Sequence, residues 1–200
     1  TNDLVPYSIF DNIISHNFNN EGRFKTNIRS NVYDLSPYDE TIVLDSDTLV
    51  LDNIDYFLEL EKGNVYYPTT VFTYRNEIVT NDYYRKIFTE NHLTNCYNAF
   101  YYFKKSPESE LFYNLIKIIT DNWKEFYSMF CKKIPVEPSM DVTTAIALKM
   151  SDYKDKNIHA PFLVHMKPAI QNWLGFTDTW LNKVDLYVDN NADVKIGNYK

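Results

Sequence analysis

The chain is poor in glycine, cysteine and long apolar runs, and each shortage excludes a class of protein. Four glycines among 200 residues leave no room for the glycine-rich loops that cradle phosphates in P-loop and dinucleotide-binding proteins. The two cysteines, Cys96 and Cys131, are too few for a disulfide scaffold and lack CxxC spacing. We therefore expect two reduced, buried thiols.

Basic residues are also in the minority. The chain has 20 Lys and Arg against 27 Asp and Glu, for a formal net charge of -7. Binding to a nucleic-acid backbone needs clustered basic residues, so we expect no nucleic acid as a partner. No apolar run approaches the ~20 residues of a membrane span, and no signal segment opens the chain. The sequence therefore predicts a cytoplasmic protein without a membrane span.

Length and composition predict one domain. A chain of 200 residues with 44% hydrophobic content can bury a single core, so we predict one catalytic domain over 1–200. The chain lacks an initiator Met and stops directly after a strand-like pattern, which indicates a domain truncated at both ends. Its 17 Tyr, 13 Phe and 3 Trp suit sugar rings and ordinary cores equally well.

Short apolar runs and helical patterns together predict an α/β fold. Thr41 to Leu44 is apolar and β-branched, which is typical of a strand buried on both faces. Further strands are predicted at 49–51, 65–67, 97–103 and 161–164. The clearest helix begins with Ser106 as N-cap and Pro107 as the first helical residue, and its apolar stripe runs from Phe112 to Phe126. Helical turns are also expected within 11–33, within 54–60 and from Ser139 onward.

Two of the predicted strands end on possible metal ligands. The strand at 41–44 is followed by Asp45 and Asp47, and the run at 161–164 is followed by His165. Ligands gather outside the carboxyl ends of strands in open α/β sheets. Two carboxylates in a partly desolvated pocket repel each other unless a cation bridges them. Carboxylates with an imidazole suit Mn²⁺, whereas Mg²⁺ prefers the carboxylates alone.

The Asp-x-Asp pattern is expected about once by chance at this Asp content, but its surroundings are more specific. The segment from Tyr38 to Ile54, YDETIVLDSDTLVLDNI, resembles the metal-binding segment of GT-A glycosyltransferases. It is most similar to the retaining glycogenin and galactosyltransferase-like group. The resemblance runs from about Lys25 to Trp173.

The resemblance implies a Rossmann-like GT-A fold, a mixed sheet flanked by helices. Because only 44 residues precede Asp45, part of the N-terminal nucleotide-binding half is expected to be missing. Asp45 and Asp47 are implied to bind Mn²⁺ (or Mg²⁺), with His165 as the third protein ligand. The ion would hold the diphosphate of a nucleotide-sugar donor such as a UDP-sugar, so Asp45 also counts among the donor-binding residues.

Two residues are implied to position the transferred sugar. The stretch Tyr97-Asn98-Ala99 resembles an Asn-Ala-Gly segment of the family, whose Asn lies near that sugar, although Phe100 stands here in place of the Gly. Asp141 resembles an Asp that contacts sugar hydroxyls beside the reacting carbon. We therefore predict Asn98 and Asp141 as the catalytic residues, since fixing the geometry of reacting groups lowers the barrier.

Basic residues could bind the donor phosphates. Lys167, in His165-Met166-Lys167-Pro168, resembles the lysine that meets the diphosphate, where it would stabilise charge on the leaving oxygens. Lys25 and Arg29 lie shortly before the first strand and could assist, although surface solvation is the commoner role for each. We place Lys25 with Lys167 among the predicted donor-binding residues.

The resemblance thus implies a metal-dependent hexosyltransferase that moves a sugar from a nucleotide-sugar to a glycan acceptor, with retention. Two other interpretations stay open. In a haloacid-dehalogenase-like phosphatase, Asp45 would attack phosphorus and Asp47 would act as general acid, but that pattern has Thr or Val where Leu49 stands. A non-catalytic module could instead bind carbohydrate with a surface rich in Tyr and Trp.

Overall fold

The computed structural model describes residues 10–15, 25–46, 48, 50, 53–60, 63–72, 78 and 85–151. Three strands lie within these ranges: β1 (Glu40–Leu44), β2 (Val65–Tyr66) and β3 (Phe100–Lys104). They form an antiparallel sheet in the order β1-β3-β2.

The described helices are short before β3 and longer after it. A 3-10 helix (Lys25–Asn31) runs directly into α1 (Val32–Leu35), and α2 (Tyr56–Glu59) and α3 (Lys86–Glu90) follow. After β3 come α4 (Pro107–Asp121), α5 (Trp123–Phe130) and α6 (Met140–Met150). None of the helices in the described ranges is long and apolar enough to cross a membrane. The described chain is therefore mixed α/β, as predicted.

The start of α4 follows directly from its sequence. Ser106 has an extended backbone and its side chain accepts a hydrogen bond from the Ser109 backbone N–H, while the Ser109 side chain accepts one from the Ser106 N–H. This reciprocal cap satisfies two backbone donors at the helix end. The predicted N-cap and the Pro at the first helical position are confirmed. The predicted apolar stripe continues into α5 across a break at Asn122.

The predicted burial of the first strand is wrong. β1 lies at an edge of the described sheet, and its three central residues are only partly buried. The strand enclosed on both sides is β3, where Phe100 to Phe103 are all buried. An apolar, β-branched run cannot distinguish an edge strand from a central one, because the sequence does not show which partners flank it.

Other predicted strands have different bounds or lie elsewhere. The strand predicted at 97–103 begins only at Phe100, and the one predicted at 65–67 ends at Tyr66. The run at 161–164 lies outside the described residues, as do Leu49 and Leu51. All three described strands are antiparallel, and the mixed sheet of a GT-A fold stays a prediction.

The two faces of β3 pack into separate apolar clusters. Tyr101 and Phe103 belong to the main core, which also contains buried residues of α4 and α6. Phe100 and Tyr102 point the opposite way and pack with Phe57 of α2, as the two-residue period of a strand requires. The sheet is thus covered on both sides at its centre.

Many of the tyrosines are core residues. The Tyr33 ring stacks on Tyr113 with centroids 4.8 Å apart, and the Tyr67 ring stacks on Tyr101 at 4.9 Å. The hydroxyls of Tyr67 and Tyr113 are hydrogen-bonded at 3.0 Å. Cys96 and Cys131 are free and buried, as predicted. Within the described ranges these aromatic side chains build the interior, and they offer no support for a sugar-binding surface.

Candidate functional site

The pairing of β1 with β3 brings Asp45 beside the segment that contains Asn98. Leu44, the last residue of β1, pairs with Phe100, the first residue of β3. One step further, the Asp45 backbone N–H donates to the carbonyl of Ala99 at 2.9 Å. Because the strands are antiparallel, the carboxyl end of β1 meets the amino end of β3. Two segments that are distant in sequence therefore share one end of the sheet.

One oxygen of the Asp45 carboxylate accepts the contacts that the described residues make with this group. Arg29, from the 3-10 helix, forms an ion pair with Oδ1, and the Ser46 backbone N–H donates to the same oxygen at 3.2 Å. Oδ2 makes no hydrogen bond to any residue that the structure describes. The side chain of Asp45 is 23% exposed and that of Arg29 36%, so both charges remain accessible to solvent and to a ligand.

Asp45, Arg29 and Asn98 border one cavity of about 270 Å³ at this end of the sheet. Sites for drug-sized ligands measure roughly 300–1,000 Å³, so this cavity suits a single sugar ring or a diphosphate. Its walls combine charged, amide and apolar side chains. The lining residues are Arg29, Val32, Val43, Leu44, Asp45, Ser46, Asn98 and Tyr101.

Asn98 is fixed by contacts with α6. Its backbone N–H and its side-chain amide both donate to Asp141 Oδ1, at 2.9 and 3.1 Å. The Thr144 hydroxyl donates to the Asn98 side-chain carbonyl at 3.3 Å. Asn98 is buried, and these bonds leave it little rotational freedom. The two residues predicted to position a sugar are therefore in direct contact, although Asp141 itself is not among the cavity-lining residues.

Arg85 completes this network, and sequence reasoning missed it. Its guanidinium donates to Asp141 Oδ2 at 2.5 Å, to the Asn95 side-chain carbonyl and to the Cys96 backbone carbonyl. The same group lies 3.8 Å from the centroid of the Tyr97 ring, within the range of a cation-π interaction. Its side chain is 7% exposed. A single Arg among aromatic residues gives no sequence signal that distinguishes this role from surface solvation.

Tyr101 lines the cavity as well, and the sequence did not single it out. It is buried in β3, and burial raises the pKa of its hydroxyl well above the ordinary value. The positive charge of Arg29 acts to lower this pKa and the negative charge of Asp45 acts to raise it. Both charged groups of the cavity thus act on the Tyr101 hydroxyl, which stays protonated throughout the neutral range.

Several predicted site residues lie outside the described part of the chain. These are Asp47, His165 and Lys167, and Lys25 is described only as the first backbone position of the 3-10 helix. Among the described residues, no group of three or more His, Cys, Asp or Glu could hold a metal ion. Two of the three predicted ligands lie beyond those residues, so the metal site stays a prediction.

Arg29 remains partly exposed, and it also has contacts that its position in the sequence did not predict. Surface solvation was its commoner expected role, but its side chain borders the cavity and pairs with Asp45. The reason is that the 3-10 helix packs against α4 and α6, which lets the Arg29 side chain reach Asp45, and the sequence pattern does not contain this tertiary arrangement.

Comparison with known proteins finds no relative: no family model, curated protein or solved structure matches the chain. The chemistry of the site and the resemblance of its motifs therefore carry the functional argument.

Proposed function

We propose that the chain is the catalytic core of a metal-dependent glycosyltransferase that moves a hexose from a nucleotide-diphosphate-sugar to a glycan acceptor. One observation carries the proposal. Asp45 and Asn98, which motif resemblance assigns separately to the metal and to the transferred sugar, border the same cavity. Their proximity results from the β1–β3 pairing, which was not used in assigning them.

The described part of the site is compatible with a cation. Asp45 Oδ1 is occupied by Arg29 and the Ser46 N–H, whereas Oδ2 has no hydrogen-bond partner among the described residues. A carboxylate oxygen is a suitable ligand for Mn²⁺ or Mg²⁺. Asp45 would hold the ion together with Asp47 and His165. When bound, the ion would stabilise negative charge on the diphosphate leaving group.

The described side chains would bind and orient the donor. In the transfer, the bond from the anomeric carbon to a diphosphate oxygen breaks, and its electron pair stays on that oxygen. The acceptor hydroxyl oxygen bonds to the carbon, and its proton passes to the departing diphosphate. Arg29 places a positive charge at the cavity, where developing phosphate charge is stabilised. Asn98 is held by Asp141, so its second amide hydrogen, which has no acceptor among the described residues, can orient the sugar at little entropic cost.

The test uses the full-length protein with Mn²⁺ and a panel of UDP-, GDP- and CMP-sugars, alongside a general phosphatase substrate. Asp45→Asn should lower nucleotide-sugar turnover by about 100-fold or more, because the site loses a negative charge needed by the cation. Asp34→Asn is the matched control. Asp34 is also an aspartate paired to a basic residue, Lys117, but its side chain is 54% exposed and is not among the residues that line the cavity.

The outcomes separate the two enzyme classes. Turnover that needs Mn²⁺, is lost in Asp45→Asn and persists in Asp34→Asn supports a glycosyltransferase. If no nucleotide-sugar is bound or consumed while the phosphatase substrate is hydrolysed, and Asp47→Asn abolishes that hydrolysis, the proposal is overturned in favour of a phosphatase.

A further inference from the structure

The hydroxyl of Tyr101 is buried and has no hydrogen-bond partner among the residues that the structure describes. Tyr101 is 2% exposed, and its ring is fixed by stacking on Tyr67, with centroids 4.9 Å apart and planes 16° apart. No described residue donates to its hydroxyl or accepts from it. Buried polar groups in proteins almost always have a partner, and a missing one calls for an explanation.

Nearby buried tyrosines make the contrast clear. The Tyr67 and Tyr113 hydroxyls bond each other at 3.0 Å. The Tyr33 hydroxyl lies 3.1 Å from the Ser109 hydroxyl, and the Tyr127 hydroxyl donates to the Ser139 carbonyl at 2.8 Å. The fold therefore satisfies the other hydroxyls of this core, and Tyr101 differs from them in bordering the cavity.

A ligand in that cavity would supply the missing partner. Tyr101 and its register partner on β1, Val43, both line the cavity. Arg29 and Asp45 line it too, and both charges influence the Tyr101 hydroxyl. A protonated tyrosine can donate one hydrogen bond and accept another. This matches an alcohol, which also donates and accepts, better than it matches a phosphate oxygen, which only accepts.

We propose that the Tyr101 hydroxyl binds a hydroxyl group of the hexose of the donor and thereby contributes to sugar specificity. The inference rests on the proposed glycosyltransferase function and deepens it. Val32, Val43 and Leu44 form apolar walls that suit the carbon face of a sugar ring. Tyr101 and Asn98 would form hydrogen bonds with the hydroxyl groups at the edge of that ring. A site built to bond a substrate hydroxyl rejects an analogue that lacks it.

The test compares Tyr101→Phe with Tyr113→Phe in the full-length protein. Calorimetric titrations with Mn²⁺ measure the binding of UDP-glucose, UDP-galactose, the corresponding GDP- and CMP-sugars, and the sugar-free nucleotides. Tyr101→Phe should weaken binding of the preferred nucleotide-sugar about 3- to 10-fold, the range of one hydrogen bond, and leave the sugar-free nucleotide unchanged. Its Tm should stay the same or rise, since the lost hydroxyl has no partner in the described part of the chain.

Tyr113→Phe controls for removing a tyrosine hydroxyl from this core. It breaks the bond to Tyr67, so it should lower the Tm and leave donor affinity unchanged. A set of monodeoxy donors then locates the contact. For one of these deoxy donors, the missing sugar hydroxyl should weaken binding to the wild type. The same deoxy donor should bind Tyr101→Phe no more weakly than the intact donor does, because the variant and the deoxy donor remove the same hydrogen bond.

The outcomes distinguish the two proposals. Donor binding that needs Asp45 but is equal in the wild type and Tyr101→Phe overturns the role of Tyr101 alone and indicates that a water molecule satisfies the hydroxyl. Equal weakening for the nucleotide-sugar and the sugar-free nucleotide overturns the sugar contact in favour of a phosphate contact. A full-length protein that binds none of the nucleotide-sugars overturns both proposals.

Discussion

Arg85 and Asp141 form an ion pair at 2.5 Å in which the arginine side chain is almost fully buried. Arg85 takes one carboxylate oxygen, and the backbone and side-chain amides of Asn98 take the other. The pair therefore stabilises the fold and also determines where Asn98 stands at the cavity. A residue that contacts no ligand can in this way control the geometry of the site.

Breaking the Arg85–Asp141 pair should destabilise the fold more than breaking a solvent-exposed ion pair. Arg85→Gln or Asp141→Asn alone should lower the free energy of unfolding by about 3–5 kcal/mol, because each leaves an uncompensated charge in a buried setting. The double variant should cost less than the sum of the two, by about 0.5–3 kcal/mol, as expected for groups in contact. Urea denaturation of the four proteins measures this coupling.

The Lys104–Glu40 pair is the control for this cycle. Its atoms approach to 3.0 Å, but the two side chains are 52% and 41% exposed, so removing the Lys104 charge should cost about 0–1 kcal/mol. Lys104 is the residue to substitute, because Glu40 also accepts a hydrogen bond from the Tyr102 hydroxyl. Additive effects at Arg85 and Asp141 would mean that the short contact contributes no energy of its own.

Asn98→Asp should destabilise the protein in a pH-dependent way. The substitution places a second carboxylate about one hydrogen-bond length from Asp141, where the Asn98 amide now donates at 3.1 Å. Repulsion between the two should cost about 3 kcal/mol or more at neutral pH. Lowering the pH toward about 5 should reduce the difference in stability between the variant and the wild type. The reason is that one of the two neighbouring carboxyls in the variant then binds a proton, which removes the repulsion. Thermal unfolding across this range is the measurement.

Asn95→Asp supplies the opposite control, since Asn95 accepts hydrogen bonds from Arg85. A carboxylate there meets a positive charge, and the Tm should hold or rise at neutral pH. If both variants lose stability equally and without pH dependence, then loss of the amide, and not charge repulsion, explains the effect.

The buried hydroxyl of Tyr127 leads us to expect that the protein becomes less stable at alkaline pH. Burial raises its pKa from the ordinary 10.0 to about 12, so the folded protein holds this proton more tightly than the unfolded chain does. The resulting stabilisation is complete below pH 10.0 and is lost as the pH rises toward about 12. The free energy of unfolding should therefore fall over this interval, as urea titrations at successive pH values would show.

Tyr127→Phe separates this contribution from the rest of the chain. The variant should be less stable at neutral pH because the hydroxyl bonds Ser139 and Thr143, and its deficit should shrink above pH 10.0. A constant deficit would show that another group governs the alkaline transition.

Local features of the fold were predictable from the sequence, and long-range ones were not. The Ser106 cap and the helix from Ser139 depend on neighbouring residues, and both are confirmed. The antiparallel partner of β1 depends on β3, which is more than 50 residues away in the chain, and no local pattern encodes that pairing. This is why β1 was wrongly expected to be buried on both faces.

The residues of the candidate site likewise fall into those that the sequence indicated and those that only the folded chain revealed. Asp45 and Asn98 were recognisable because their motifs resemble those of a family, and their proximity follows from the strand pairing. Arg85 and Tyr101 were missed because their roles come from burial and from the presence or absence of partners. A sequence shows that a tyrosine is β-prone, but only the folded chain shows that its hydroxyl lacks a bond.

The hydrogen bond from Asp45 to Ala99 has a consequence for how this chain could diversify. Inserting one residue within β1 or β3 would turn every later side chain of that strand to the opposite face, dismantling cavity and core together. Insertions in the parts of the connection that contain neither β2 nor a residue of the site would leave the register intact, since longer loops cost little. The two strands should therefore keep a fixed length among descendants of this sequence, while those parts of the connection can vary in length.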